Sequence, residues 1–298
     1  MDKFSSFEVF SELRQLTAKY SFLEVFPIGF SLMNKPLLCA RIGRGKKQVL
    51  YSAAHHGNEW ITALLLTKFL KDVCQGLQEH GTLLKRQLHN LFEEVTLFAL
   101  PMINPDGADL AGGTLTEGEF FAHAESIAAK YPFIPFPRGW KANIRGVDLN
   151  LQYPADWQEV KRRKTSLGFS SPAPRDFPGL NPISEPESQA LFRFTKEHSF
   201  DFIIALHTQG AVIYDRYKGY APNGTYPLVK KMSYSSGYPL ESTPAESDGG
   251  GSKDWFISAF DKPGITVECG LGESPLPLSQ LDAIYTQILP ILILGLEG

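Results

Sequence analysis

The chain is 298 residues long, 43% hydrophobic, 12% aromatic and 20% charged, proportions that build a sizeable core and exclude a disordered polymer. Its 29 basic and 32 acidic residues leave a net charge of −3, so no global positive field exists to hold nucleic acid or an anionic membrane. Three cysteines, Cys39, Cys74 and Cys269, are an odd number with no disulfide framework to serve; they read as buried small hydrophobes and fit a reducing, cytoplasmic compartment.

Phe7, Phe10, Leu13 and Leu16 recur at helical spacing and predict a helix over 7–19, interrupted by too many charges to serve as a secretory signal. Residues 48–54 read as a buried strand, followed by the turn His55-His56-Gly57-Asn58, with Asn58 as N-cap of a helix whose apolar face is Ile61, Leu64, Leu65, Phe69 and Val73. A second strand over 95–100 runs into Asn104-Pro105-Asp106-Gly107, where proline-fixed φ followed by glycine predicts a turn. Residues 108–139 and 154–183 read as surface excursions, the second carrying Lys161-Arg162-Arg163-Lys164 as a solvated basic face. Ser184-x-x-Glu187 reads as a capping box opening a helix to about 198. Residues 202–206 and 265–267 read as strands ending at His207 and Glu268. Leu278, Leu281, Ile284, Tyr285, Ile288 and Leu289 share one face of a last helix, whose apolar end is about half the length of a bilayer span and contains Pro290. Helices and strands alternate without a linker, so the expectation is one α/β domain over 1–298.

Sites in open α/β sheets lie outside the carboxyl ends of strands, and His56, His207 and Glu268 each stand just beyond a predicted strand. His56-x-x-Glu59 with His207 supplies two imidazoles and a carboxylate, the three-ligand set that leaves a catalytic zinc one open position. Glu268, on a separate strand, is then available as the general base that takes a proton from water and returns it to the leaving amine. The spacing of His55 to Glu59 is also compatible with a shared helical face. Neighbours leaving a strand point to opposite sides, however, so only one of the two histidines faces the metal, and His56 is favoured.

Ala54-His-His-Gly-Asn-Glu-Trp60, Asn104-Pro-Asp-Gly107, Gly146-Val-Asp-Leu-Asn150, Ala205-Leu-His207, Gly250-Gly-Ser-Lys-Asp-Trp255 and Thr266-Val-Glu268 together, in this order, resemble the zinc carboxypeptidase superfamily of carboxypeptidase A-like peptidases. The resemblance implies a three-layer α/β/α sandwich around a mixed, roughly eight-stranded sheet. It also implies one zinc per chain on His56, Glu59 and His207, a catalytic Glu268, and Asp148 orienting His56 through its other ring nitrogen. Many members carry an arginine ahead of the Gly146–Asn150 motif to polarise the scissile carbonyl. Here Lys141 stands at that position with Arg145 nearer the motif, and Lys141 ranks first although lysine lacks the arginine fork. Asn150 is a substrate-contact position by the same resemblance, but Leu151 follows it where typical carboxypeptidases have the arginine that clamps a terminal carboxylate. The loop Glu246-Ser-Asp-Gly249 lacks the tyrosine many members carry there.

Trp140-Lys-Ala-Asn143, Asn150-Leu-Gln-Tyr-Pro154, Leu206-His-Thr-Gln-Gly210, Lys253-Asp-Trp-Phe256 and Pro275-Leu-Pro-Leu278 look like the bacterial γ-D-glutamyl-L-diamino acid endopeptidases. That branch implies a murein-derived peptide cut between γ-D-glutamate and a diamino acid such as meso-diaminopimelate. Asp215, Arg216, Glu246 and Asp248 are the candidates for meeting its zwitterionic side chain. The rival readings are a C-terminal carboxypeptidase, a zinc-dependent N-acyl amino acid deacylase, and an inactive metal-binding interaction protein. Trp60, the Asn104 turn and Asn150-Leu-Gln favour the peptidase branch over the deacylase. An uncoordinated Glu268 has no use in an idle site.

Overall fold

The computed structural model describes residues 3–298, with Met1 and Asp2 outside them. Eight strands form one mixed sheet: β1 Glu24–Phe30, β2 Pro36–Gly43, β3 Lys47–Ala53, β6 Val95–Leu100, β7 Phe202–His207, β8 Val212–Tyr214, β9 Leu240–Glu241 and β10 Gly264–Glu268. Their spatial order is β1-β2-β6-β3-β7-β10-β8-β9, and a separate two-stranded ribbon pairs β4 Thr82–Leu83 with β5 Arg86–Gln87. The central four, β6-β3-β7-β10, run parallel, whereas β1, β2 and β8 pair antiparallel with their inner neighbours.

Parallel strands in such a sheet are covered on both faces, and accordingly β6 and β7 are buried along their whole length. Alternate residues serve opposite layers. Tyr51, Leu97, Ala99, Ile204 and Val267 enter a cluster with α1 Ser6–Lys19, α2 Ile61–Gln78, α8 Thr225–Ser236 and α10 Leu281–Glu297. Leu50, Phe98, Leu100 and Ile203 pack on the other face against α7 Pro186–Glu197 and α9 Ser252–Phe260. The result is the α/β/α sandwich that the motifs imply. Short helices α3 Leu88–Glu94, α4 Pro105–Ala111, α5 Glu119–Ala128 and α6 Trp157–Ser166 complete the chain.

Several local expectations give way to tertiary contacts. Asn58 is not an N-cap: it sits within a 3-10 turn, Gly57–Glu59, and α2 starts at Ile61 without a side-chain cap. Ser184 and Glu187 form no capping box, because the Ser184 hydroxyl is engaged with Gln152 while Glu187 accepts from the Leu32 N–H. A capping box does form at Ser5 and Glu8, at the start of α1. The 108–139 stretch is not all surface: Ala124 and Ile127 of α5 join Leu110, Trp140 and Phe177 in a third apolar cluster. Within the basic run, Lys164 turns inward and pairs with Asp176 at 2.5 Å.

Candidate metal centre and active site

Three adjacent parallel strands deliver the chemistry to one sheet edge. Their register pairs Ala53 with Leu206 and Glu268 with His207, so the chain leaving β3, the last residue of β7 and the last residue of β10 meet there. Beyond β3 the 3-10 turn carrying Glu59 is held by hydrogen bonds. The Gly57 N–H donates to the Lys141 carbonyl at 2.9 Å, and the Asn104 amide donates to the carbonyls of His55 (3.1 Å) and Ala142 (3.0 Å). A Cβ on Gly57 would lie 2.4 Å from the Gly107 carbonyl oxygen, and one on Gly107 would lie 2.4 Å from that of Ala142. Three backbone segments meet here at distances only glycine permits.

His56 Nδ1 lies 2.8 Å from Glu59 Oε1, and His207 Nδ1 lies 3.0 Å from Glu59 Oε2 and 3.3 Å from His56 Nδ1. All three side chains are buried, and their candidate ligand atoms fall within 4.8 Å of one another. Two imidazole nitrogens and a carboxylate facing one another beside a cavity of about 170 Å³ fit zinc with an open position. His56 Nε2 meets Asp148 Oδ1 at 3.1 Å, which fixes the ring, and Asp148 Oδ2 accepts from the Asp176 N–H at 3.2 Å. Burial lowers the affinity of His56 for a proton, but Glu59 and Asp148 outweigh it and raise the pKa to about 9. Burial likewise works against ionised Glu59 and Asp148, yet His56 and Lys141 hold both well below the usual carboxylate range. Glu268 goes the other way: burial, then the charge of Glu59, push it up to about 8 against the pull of Lys141 and His56.

His55 is fully buried on the far side, stacked on His207 at 5.4 Å and edge-on to Tyr153 at 6.5 Å, with burial pushing its pKa well down. It packs as a neutral ring under the ligands.

The cavity wall contains Lys141, Asp148, Asn150, Leu151 and Glu268. Lys141 Nζ lies 3.2 Å from Glu59 Oε1, whereas Arg145 is half-exposed and its guanidinium is committed to Glu185 at 2.9 Å. Asp215, Arg216, Glu246 and Asp248 do not line the cavity. Strand alternation accounts for the first: on β8 and beyond, Tyr214 faces the cavity, and Asp215 is buried against Arg216 at 3.0 Å. Charges not assigned to the substrate from the sequence line the cavity instead: Lys164, Arg175, Asp176, Lys253 and Asp254, together with the phenol of Tyr214. Lys253 Nζ reaches Asp254 Oδ1 at 2.5 Å and the Arg216 carbonyl at 2.6 Å, and both side chains are buried. Lys253-Asp254 was visible as part of a motif.

The zinc carboxypeptidase family profile matches residues 9–289. The γ-D-glutamyl-L-diamino acid endopeptidase 1 of Lysinibacillus sphaericus is 37% identical over 287 residues, covering 96% of this chain and 70% of that protein. An uncharacterized protein of Bacillus subtilis (strain 168), YqgT, is 36% identical over 277 residues, covering 92% of this chain and 72% of that protein. The crystal structure of carboxypeptidase A from Helicoverpa armigera superposes with a TM-score of 0.74 at 17% identity, over 99% of this chain and 73% of that one, a likeness of fold. With a His-Glu-His ligand group intact at the edge of such a sheet, the chain belongs to the zinc carboxypeptidase family and is a zinc metallopeptidase.

Proposed function

We propose that the enzyme holds one zinc per chain and hydrolyses the bond between γ-D-glutamate and a diamino acid, meso-diaminopimelate above all, in murein-derived peptides. The observation that carries this reading is the buried Lys253–Asp254 pair on the wall of the metal cavity. A buried ammonium–carboxylate pair is the complement of a zwitterionic head group: the lysine has a donor left for a carboxylate and the aspartate can accept from an ammonium. An apolar or singly charged side chain would leave one of the two unmet in a closed site. Leu151 on the same wall offers a terminal α-carboxylate no charge, and the relative at 37% identity is named for this bond. The three buried free thiols support a reducing compartment, so the substrate we propose is a soluble muropeptide in the cytoplasm.

Zinc on His56, Glu59 and His207 supplies Lewis acidity that makes water acidic near neutral pH. We give Glu268 the proton that water loses and then its delivery to the departing amine, so that the C–N bond breaks once the C–O bond has formed. Lys141, kept charged by Glu59 despite its burial, faces the negative charge that develops on the carbonyl oxygen. Asp148 keeps the His56 ring in its ligating orientation.

Two experiments test the assignment. Metal analysis of His56→Ala and His207→Ala is expected to show substantial zinc loss, since each removes one of three protein ligands; stoichiometric zinc in both would remove the assignment. Lys141→Ala is expected to lower kcat by about 10²-fold with zinc retained, the scale of one lost donor to a developing oxyanion, whereas Arg145→Ala leaves the rate near wild type. The reverse result would move the role to Arg145.

A further inference from the structure

The metal cavity adjoins a larger groove of about 1020 Å³, walled by Phe133, Phe169, Arg138 and Glu273 among others. Lys141, Arg175, Gln209 and Glu268 line both spaces. The scissile amide must sit beside Glu268 and the ligands, so one side of the substrate extends into each space. Resting on the function proposed above, the diamino acid takes the side of Lys253 and Asp254, and the acyl residue extends toward the groove.

That acyl residue has a chemical mark. An amino acid linked through its side-chain carboxyl keeps its own α-carboxylate free, close to the bond that is cut, whereas an α-linked residue has no such group. A site that requires the γ-linkage therefore needs a cation on the groove side, and Arg175 stands on the boundary. Its Nε donates to Asp176 Oδ2 at 2.7 Å, and its two terminal nitrogens have no hydrogen-bond partner among the described residues. The side chain is 44% exposed. Asp176 also pairs with Lys164 at 2.5 Å, so its carboxylate is shared between two cations and engages Arg175 through Nε alone. The backbone on both sides of Arg175 is tied to the site: the Pro174 carbonyl accepts from the N–H groups of Lys141 (2.8 Å) and Ala142 (2.9 Å), and the Asp176 N–H donates to Asp148 (3.2 Å). A guanidinium anchored at one nitrogen with its outer edge open is arranged for a bidentate carboxylate. Arg138 lines the groove beside the Pro275 carbonyl and does not line the metal cavity.

We infer that Arg175 is a specificity residue that binds the free α-carboxylate of the γ-linked D-glutamyl residue on the acyl side of the scissile bond. The test compares kcat/KM of L-Ala-γ-D-Glu-meso-diaminopimelate with the same tripeptide amidated at the D-Glu α-carboxylate, using wild type, Arg175→Met and Arg175→Lys, with zinc content and Tm measured for each. Wild type is expected to prefer the free acid by about tenfold or more, as sites built on charge-assisted bonds do. Arg175→Met should bring the two substrates to similar rates by losing activity on the acid alone, and Arg175→Lys should retain part of the preference, both with normal zinc. An unchanged preference in Arg175→Met, or an equal loss on both substrates, overturns the inference; should the methionine variant fail to fold, a full wild-type preference in Arg175→Lys does the same. Wild-type cleavage of both tripeptides without preference sinks Arg175 alone, while cleavage of neither sinks the parent reading with it.

Discussion

Glu268→Gln is expected to lower kcat on a γ-D-glutamyl-diaminopimelate peptide by about 10²–10⁴, the usual contribution of a positioned acid–base group, with zinc content unchanged. Glutamine matches the shape of the side chain and removes only its capacity to carry a proton. Glu268 stands opposite His207 in the strand register yet is not among the three clustered ligand residues, so metal retention separates its role from theirs. Burial and the charge of Glu59 raise its affinity for a proton, toward a pKa of about 8, so the carboxylate, once ionised, is a stronger base than that of an exposed glutamate. Below that range the group is held protonated and cannot take a proton, so activity should fall as the solution is acidified. Steady-state kinetics with parallel metal analysis decides the matter: near-normal turnover in the variant eliminates Glu268 as the base.

The other large effect concerns the substrate. Replacing diaminopimelate in L-Ala-γ-D-Glu-meso-diaminopimelate by alanine or phenylalanine is expected to lower kcat/KM by more than about tenfold, on the order of 2 kcal/mol or more of lost transition-state binding. The cause lies in the wall that meets the side chain. Lys253 and Asp254 are buried with one another, and a substrate that fills the cavity without satisfying them removes them further from water without compensation. An ordinary peptide ending in phenylalanine brings an apolar ring against that ion pair and offers neither of its charges a partner. Mass analysis of digests of the two peptide types gives the ratio. Comparable rates would favour a C-terminal carboxypeptidase.

The ligand set and Glu268 were legible in the sequence because they are fixed by short-range features: a strand, a turn with two donors, and two further strands, one ending in the third ligand and the other in Glu268. Motif order carried the fold in the same way. The substrate wall was not legible, because it is assembled from segments near 141, 151, 175, 214 and 253 whose orientation is set by contacts between loops. Lys164 illustrates the difficulty. It reads as one of four consecutive bases on a solvated face of a surface excursion, whereas in the structure it turns inward to pair with Asp176. The first two strands also escaped the pattern reading, since β1 carries Pro27 and Gly29 around a register shift; an edge strand tolerates what a central one would not.

The pairing of Ala53 with Leu206 has a consequence for how the protein matures. Two of the three ligands are 151 residues apart and share no local structure, so no fragment containing only one of them offers more than a weak, incomplete site. The ion therefore cannot template the chain as it does in a zinc finger. Held by His56, Glu59 and His207 it would bridge the seam between β3 and β7, and its binding free energy would add to the stability of the joined sheet.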